Sequence, residues 1–186
     1  MTQKYTTGSP HFIETGHLEP APVTEQMIDQ VKKVVFHALD SLLVENGASH
    51  SELKIDAQGR IRLIEIGARM GGDFIGSHLV QLSTGIDFVK AVIDVAMGQK
   101  PVLSSSKHYA ESAVRFIFSK DDASVLYRLR QEHPESLIDY NVDEASLDCE
   151  VSDSSGRHGY FLMASERKGL LEKYLPADGG ALKLHG

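Results

Sequence analysis

Cysteine is nearly absent from this sequence of 186 residues, and apolar runs long enough to cross a membrane are absent altogether. The one cysteine, Cys149, has no second cysteine with which to form an intramolecular disulfide. The N-terminus also lacks the basic and then apolar segments of a signal peptide. We therefore predict a cytoplasmic protein without a membrane partner.

Clusters of basic residues are missing as well. The chain has 19 Lys and Arg against 26 Asp and Glu, which gives a net charge of −7 and a pI of about 5.7. Binding to a phosphate backbone needs grouped cations, so we predict no nucleic-acid partner. Hydrophobic residues make up 41% and charged residues 24%, which is typical of a globular protein with one or two small domains.

Two alternating segments, ELKID and RIRLIEI, predict a β-hairpin. Gly59 marks the turn, as either a two-residue turn at Gln58 and Gly59 or a four-residue loop over 57–60. Both turns place Glu52 directly opposite Glu65. The predicted core-facing side chains are Leu53, Ile55, Ile64 and Ile66, and the opposite face carries Glu52, Lys54 and Glu65.

The two facing glutamates need something to offset their repulsion. Directly opposed side chains lie about 5 Å apart at Cβ, where two like charges repel by about 3 kcal/mol at an effective dielectric constant of about 20. A shared proton, the charge of Lys54, divergence into water or a divalent cation would each offset it. Hard cations such as Mg²⁺ bind one or two carboxylates together with substrate phosphates. The hairpin alone leaves these alternatives open.

A glycine-rich segment, GARMGGD, follows the second predicted strand. Gly71 and Gly72 permit close approach of a ligand to the backbone, and the start of the next helix adds outward-pointing N–H groups. Arg69 supplies a planar, permanently charged guanidinium that suits phosphate or carboxylate. The combination predicts an anion site beside the carboxylates. The alternative is an ordinary strand-to-helix connection with an exposed arginine.

The segments HSELKID, RIRLIEIGARMGGDFIGSHLV and TGIDFVKAV together resemble the C-terminal part of ATP-grasp enzymes, particularly carboxylate-amine ligases such as bacterial L-amino acid ligases. The resemblance covers roughly residues 10–165. It implies an α+β fold, with a C-terminal ATP-grasp subdomain over 1–103, in which helices pack on an antiparallel sheet. A small α+β domain would follow over 104–186.

The resemblance also implies a cofactor and its site. Glu52 and Glu65 would bind the Mg²⁺ (or Mn²⁺) ions of bound ATP. Arg69 would be the catalytic residue, contacting phosphate and stabilising the acyl-phosphate transition state. Gly67 departs from the family, which mostly has asparagine there as a further metal ligand. The number of metal ions therefore stays open.

Further positions are candidates for substrate binding. Gly71 and Gly72 would position the acyl phosphate, as the resemblance implies. His50 matches the amino-acid-ligase subgroup, and the alternative is a strand-end histidine without function. Arg115, in the apolar stretch AVRFIF, either extends to a sheet edge or binds a substrate carboxylate.

The implied activity is ATP-dependent joining of a small carboxylate to a small amine through an acyl phosphate. In the family, phosphate-binding lysines, a glycine-rich lid and an adenine-binding hinge precede this region, so we expect the chain to be incomplete alone. Two alternatives are a shortened non-catalytic binding module and one half of a split enzyme completed by a second polypeptide. Apolar surface left exposed on a partial fold would favour a homo-oligomer.

The remaining patterns predict further helices and strands. Thr24 is the predicted N-cap of a helix ending near Gly47, and Thr84 to Asp87 is a predicted capping box before a helix that ends at Gly98. Strand, helix, strand, strand and helix are then predicted for AESAVRFIFS, DDASVLYRLRQEHP, SLIDYNVD, GRHGYFLMAS and ERKGLLEKYL. SSGRHGY is interpreted as a glycine-flanked turn more readily than as an anion loop, and PADGGALKLHG as a mobile tail.

Overall fold

The computed structural model of the protein describes residues 1–149 and 153–177. In chain order its main elements are β1 (Gln3–Thr6), β2 (Glu14–Glu19), α1 (Glu25–Ser41), β3 (His50–Ile55), β4 (Ile61–Gly67), a π-helix (Ile75–Leu79), α2 (Val80–Thr84), α3 (Phe88–Ala96), β5 (Glu111–Ile117), α4 (Lys120–Glu132), β6 (Leu137–Val142) and β7 (Gly159–Ser165). The fold is α+β with antiparallel sheets, as predicted. Within the described ranges, no helix has the length and apolar character needed to span a membrane.

Five strands form one antiparallel sheet in the order β1-β2-β5-β7-β6. Strand β5 lies at its centre because its side chains are apolar on both faces; Ala113, Val114, Phe116 and Ile117 are all buried. Strands β1 and β2 precede residue 104, whereas β5 to β7 follow it. The sheet therefore joins both sides of the expected boundary, and the division into 1–103 and 104–186 stays a prediction.

Each face of this sheet has its own apolar cluster. One face packs against α4 and the C-terminal turn, with Leu18, Ala113, Leu126, Leu129, Phe161 and Tyr174 in the cluster. The other face packs against the segment that follows the glycine-rich loop, with Phe74, Leu79, Val114, Phe116 and Leu162. Neighbouring residues of β5 thus belong to opposite clusters, since strand side chains alternate between faces.

The separate hairpin of β3 and β4 has the predicted pairing but a different turn. Glu52 lies directly opposite Glu65, which confirms the predicted register at that pair. The turn has three residues, 57–59, where two or four were predicted. Gly59 takes a left-handed φ of +75° and donates its N–H to the carbonyl of Asp56 at 2.9 Å. Its conformational freedom is what closes this turn.

A turn of three residues shifts the pairing of β3 with β4 by one residue from the predicted register. One extra residue in β4 compensates for this shift, so Glu52 still pairs with Glu65. Leu53 pairs with Leu63, so Ile64 is left between pairs as a β-bulge. Ile64 is 64% exposed, and its predicted place in the core is wrong. The other predicted core side chains, Leu53, Ile55 and Ile66, are half-buried.

The helix ends match the predictions in part. Thr24 caps α1 as predicted, because its hydroxyl accepts a backbone N–H at 3.2 Å, but the helix ends at Ser41 and not near Gly47. The predicted capping box is wrong. Thr84 ends α2, and Asp87 is the residue that caps α3, with its carboxylate accepting a backbone N–H at 2.9 Å.

Beyond residue 104 the predicted strands and the helix α4 are confirmed, but the last predicted helix is wrong. ERKGLLEKYL forms only a short 3₁₀ turn over Leu171–Tyr174. The buried carboxylate of Glu111 fixes this region by accepting the N–H groups of Gly169 at 2.6 Å and Leu171 at 2.7 Å. Most of the predicted mobile tail, 178–186, lies outside the described residues.

Candidate functional site

Glu52 and Glu65 are paired in backbone register but have different surroundings. Glu52 is half-buried, whereas Glu65 is exposed. Among the described residues Glu65 makes no hydrogen bond and no ion pair. Its carboxylate is therefore available to a ligand that approaches from solvent.

Lys4, from the edge strand β1, offsets the charge of Glu52. Its Nζ donates to Glu52 Oε1 at 2.7 Å and to Glu14 Oε1 at 3.1 Å. Nε2 of His50 lies 3.4 Å from the same oxygen of Glu52. Lys54, one of the alternatives that the hairpin pattern left open for this role, is exposed. The hairpin pattern did not include the lysine that performs it, because Lys4 belongs to another strand of another sheet.

This ion pair shifts the pKa of both partners. Burial alone would raise the pKa of Glu52, but the hydrogen bond and charge of Lys4, with a smaller contribution from His50, lower it. Burial would lower the pKa of Lys4, but Glu52 and Glu14 raise it. Both partners are therefore charged at neutral pH.

The two central glycines of the loop differ in how tightly they are packed. A Cβ on Gly71 would lie 3.0 Å from Nδ1 of His50 and 3.1 Å from Cβ of Ile75. A Cβ on Gly72 would have no atom within 4 Å. The carbonyl groups of both glycines accept N–H groups of the following π-helix, from Gly76 at 3.3 Å and Ile75 at 2.8 Å. A Cβ is therefore crowded at position 71 and unobstructed at position 72.

This difference predicts unequal effects of two neighbouring substitutions. Gly71→Ala should destabilise the protein by about 1 to 2 kcal/mol, because the added methyl group displaces His50 or Ile75. Gly72→Ala should change the free energy of unfolding by less than about 0.5 kcal/mol. Urea denaturation of both variants measures the difference, and equal midpoints would contradict the packing described here.

Asp73 and Phe74 follow the glycines in an unusual conformation. Their φ angles are +48° and +66°, so two consecutive residues with side chains occupy the left-handed region. Each such residue costs about 1 to 2 kcal/mol relative to right-handed backbone. Contacts outside the loop must offset this strain.

Arg157, from the turn before β7, provides the strongest of those contacts. Its two Nη atoms each donate to an oxygen of Asp73 at 2.8 Å. The guanidinium carbon lies 3.7 Å from the ring centroid of Phe116, and Nη2 lies 3.5 Å from Oε2 of Glu14. The guanidinium is thereby fixed by a carboxylate pair and by an aromatic face.

The surroundings of Asp73 lower its pKa. Burial alone would raise the pKa, but the nearby imidazole of His17 and the hydrogen bonds and charge of Arg157 hold it well below its usual range. Nε2 of the buried His17 lies 3.6 Å from Asp73 Oδ2. Because the pKa is lower in the folded state, the stability from this carboxylate is present above about pH 4 and is lost as the pH falls further.

Comparison with known proteins finds a family match in the N-terminal part of the chain and similar folds among solved structures. Residues 1–77 match the ATP-grasp domain family. The fold superposes on phosphoribosylglycinamide synthetase from Anaerococcus prevotii over 92% of the chain with a TM-score of 0.73 and 19% identity. It superposes on L-amino acid ligase from Bacillus licheniformis over 89% of the chain with a TM-score of 0.67 and 24% identity. The family match covers residues 1–77, and the solved structures extend the likeness in fold over the rest of the chain.

The chain spans less than half the length of these similar structures. It spans 45% of the synthetase and 42% of the ligase. Carnosine synthase 1 from Homo sapiens is 32% identical to it over 97 residues, which are 52% of this chain and 12% of the human protein. The matched family region, 1–77, contains Lys4, the hairpin and the glycine-rich loop.

Arg69 lies on the surface of the ATP-grasp domain. Its Nη1 donates to the carbonyl of Met70 at 2.9 Å, and the residue is exposed. A Cβ on Gly67 would lie 3.5 Å from Cγ of Arg69, which is an ordinary contact distance. The absence of an asparagine at position 67 is therefore not dictated by lack of space.

Arg115 is not brought together with the other predicted site residues. Its Nη2 donates to Asp122 Oδ1 at 2.6 Å, and its Nη1 donates to the carbonyl of Tyr174 at 3.0 Å. It lies on the face of the sheet covered by α4, whereas Phe116 and the glycine-rich loop lie on the other face. Its guanidinium is used to hold the C-terminal turn against the sheet.

Few carboxylates are grouped for a metal ion among the described residues. Over 1–149 and 153–177, no group of three or more His, Cys, Asp or Glu residues is arranged to hold a metal. Glu52 and Glu65 still fit a hard cation of the Mg²⁺ type, which takes one or two carboxylates and completes its shell with water and phosphate oxygens. The described residues thus fit a shared protein–nucleotide metal site better than an all-protein cage.

The structure adds residues that the sequence patterns did not single out. Lys4, Glu14, Asp73 and Arg157 form a network of alternating charges beside the predicted site. A signal for Arg157 was present in SSGRHGY, where an arginine lies between a glycine and a buried histidine. We interpreted that stretch as a turn, and the turn is what presents Arg157 to the loop.

Proposed function

We propose that this chain provides the metal-binding and phosphate-positioning part of an ATP-dependent carboxylate-amine ligase that works through an acyl phosphate. The observation that carries the proposal is the direct pairing of Glu52 with Glu65 beside the loop of Gly71 and Gly72. A facing pair of carboxylates next to a glycine-rich loop suits a nucleotide with its divalent cation. The match of residues 1–77 to the ATP-grasp domain family supports the same assignment.

Each residue has a role in this reaction. Glu52 and Glu65 would hold Mg²⁺ or Mn²⁺, and the bound cation would neutralise phosphate charge. Arg69 would turn from the Met70 carbonyl toward the transferred phosphoryl group and stabilise its charge. Backbone N–H groups of Gly71 and Gly72 would orient the acyl phosphate, and His50 would hold Glu52 in place.

The bonds and charges balance over two steps. A carboxylate oxygen of the first substrate forms a bond to the γ-phosphorus of ATP, while the bond from that phosphorus to the bridging oxygen breaks and ADP leaves. The amine nitrogen of the second substrate then forms a bond to the acyl carbon. Phosphate leaves with the electron pair of the carbon–oxygen bond, and the nitrogen gives up a proton. The product is an amide or peptide.

A calorimetric titration tests the proposal. The 186-residue chain is titrated with Mg²⁺ and a non-hydrolysable ATP analogue, beside the variant Glu52→Gln/Glu65→Gln. Binding by the natural chain that is lost in the double variant is the expected result. An unsubstituted chain that does not bind is not a nucleotide-binding unit alone, which leaves one half of a split enzyme or the second candidate, a non-catalytic binding module, for which the existing Lys4 to Glu52 ion pair is the supporting observation.

Lys4 gives a prediction about the metal alone. The Lys4 ammonium already neutralises Glu52, so a divalent cation must compete with it. Lys4→Met should therefore strengthen binding of Mn²⁺, measured by water-proton relaxation without nucleotide, by about twofold to fivefold, since a partly exposed ion pair contributes up to about 1 kcal/mol. Lys32→Met, at an exposed lysine of α1, is the control. Weaker binding in Lys4→Met would show that Lys4 supports the cation site and does not compete for it.

A further inference from the structure

The contact between Arg157 and Asp73 joins two segments that are far apart in sequence. The side chains form two hydrogen bonds of 2.8 Å across a separation of 84 residues. Arg157 is only 19% exposed, and Phe116 beneath its guanidinium is buried. A planar guanidinium that is bidentate on one side and stacked on the other has little freedom to move.

The segment that Arg157 holds would not adopt its conformation unaided. Asp73 and Phe74 both have positive φ, and neither is a glycine. A conformation of this kind persists only where the surrounding structure over-determines it. Phe74 is fixed by its ring, whose centroid lies 4.4 Å from that of Tyr160, and Asp73 is fixed by Arg157.

The same arginine is connected to the carboxylates of the hairpin. Its Nη2 lies 3.5 Å from Glu14, whose other oxygen accepts from Lys4 at 3.1 Å. Lys4 in turn donates to Glu52 at 2.7 Å. Charges of alternating sign thus run from the glycine-rich loop to the predicted metal ligand.

We propose that Arg157 is a positioning residue. By clamping Asp73 it fixes the left-handed turn, and through that turn it fixes the backbone of Gly71 and Gly72. Its connection to Glu52 through Glu14 and Lys4 keeps the loop and the carboxylate in one arrangement. The effect on nucleotide binding rests on the proposed ligase function, whereas the effect on the loop does not.

Hydrogen exchange measures the loop directly. The amides of Gly76, Ile75, His78 and Leu79 donate to carbonyl groups of residues 71, 72 and 74, so they report whether the turn is closed. Arg157→Lys keeps the charge but loses the planar fork and most of the stacking on Phe116. We expect exchange in a peptide covering 67–79 to become about tenfold or more faster, while β5 exchanges within about twofold of the natural rate.

Matched variants keep the test decisive. Arg130→Lys is the control, because Arg130 also lies over an aromatic ring, 5.2 Å from Tyr140, but is distant from the loop. Asp73→Asn removes the other partner, and it replaces Arg157→Lys if that variant does not fold. Unchanged exchange in 67–79, or an equal increase throughout the chain, would overturn the proposal.

Binding of Mg²⁺ with the ATP analogue then tests the consequence. Arg157→Lys should weaken it by about tenfold, and Arg130→Lys should leave it unchanged. Unchanged affinity together with a loosened loop would overturn the positioning role. If the unsubstituted chain does not bind the nucleotide, it is not a nucleotide-binding unit alone, and the exchange rates still decide whether Arg157 holds the loop.

Discussion

In the enzyme completed by its front subdomains, Glu65→Gln is expected to lower ATP-dependent ligation by about 100-fold to 1,000-fold while leaving the fold unchanged. The substitution removes one of two facing negative charges without changing the size of the side chain. Glu65 is exposed and makes no hydrogen bond or ion pair among the described residues, so stability should change by less than about 0.5 kcal/mol. Formation of ADP that depends on both a carboxylate and an amine measures the activity.

The control for this result is an exposed glutamate outside the site. Glu45, in the connection between α1 and β3, is suitable, and Glu45→Gln should retain full activity. The assigned role of Glu65 is rejected by a variant that keeps most of the activity at saturating Mg²⁺ and ATP. An unfolded variant would instead indicate that the exposed carboxylate stabilises the hairpin.

Gly159→Ala is expected to have the largest effect on stability, a loss of more than about 4 kcal/mol in the free energy of unfolding. Gly159 begins β7 with a φ of +156°, and a Cβ there would lie 2.0 Å from the carbonyl oxygen of Asn141. The obstructing atoms belong to the backbone of β6, so no side-chain rotation relieves the clash. Strands β6 and β7 would have to separate at their pair Val142 and Gly159.

Gly98→Ala isolates the cost of positive φ without a clash. Gly98 has a φ of +71°, and an added Cβ would meet no atom within 4 Å. Its substitution should cost about 1 kcal/mol, as for a single non-glycine residue in left-handed backbone. Urea denaturation of both variants gives the comparison. Similar losses at the two positions would mean that the approach of β6 to Gly159 is not tight.

Local patterns in the sequence were sufficient to predict the parts of the fold that depend on local physics. Alternation of apolar and polar residues predicted the hairpin, and the pairing of Glu52 with Glu65 followed from it. The exact turn did not follow, because Gly59 suits a three-residue turn as well as the two predicted, and a bulge at Ile64 compensates for the difference. A bulge of this kind has no signal in an alternating pattern.

The charge network was beyond the reach of such patterns. Lys4 and Glu52 are 48 residues apart, and Arg157 and Asp73 are 84 apart, so only the completed sheet brings them together. Arg115 shows the converse. An arginine in an apolar strand suggested a substrate site. The residue that pairs with it, Asp122, lies in α4, and both are on the face of the sheet opposite the glycine-rich loop. A sequence pattern therefore identifies a buried charged residue more readily than it identifies the residue that pairs with it.

The strand order of the five-stranded sheet has a consequence for synthesis of the chain. Strand β2 must pair with β5, which begins at Glu111, so the N-terminal hairpin emerges from the ribosome long before its neighbour exists. Until β7 is also complete at Ser165, β5 lacks its second neighbour and the apolar faces of the sheet are open. Nascent chains of intermediate length therefore expose unpaired strand edges, which are the features that chaperones protect from aggregation.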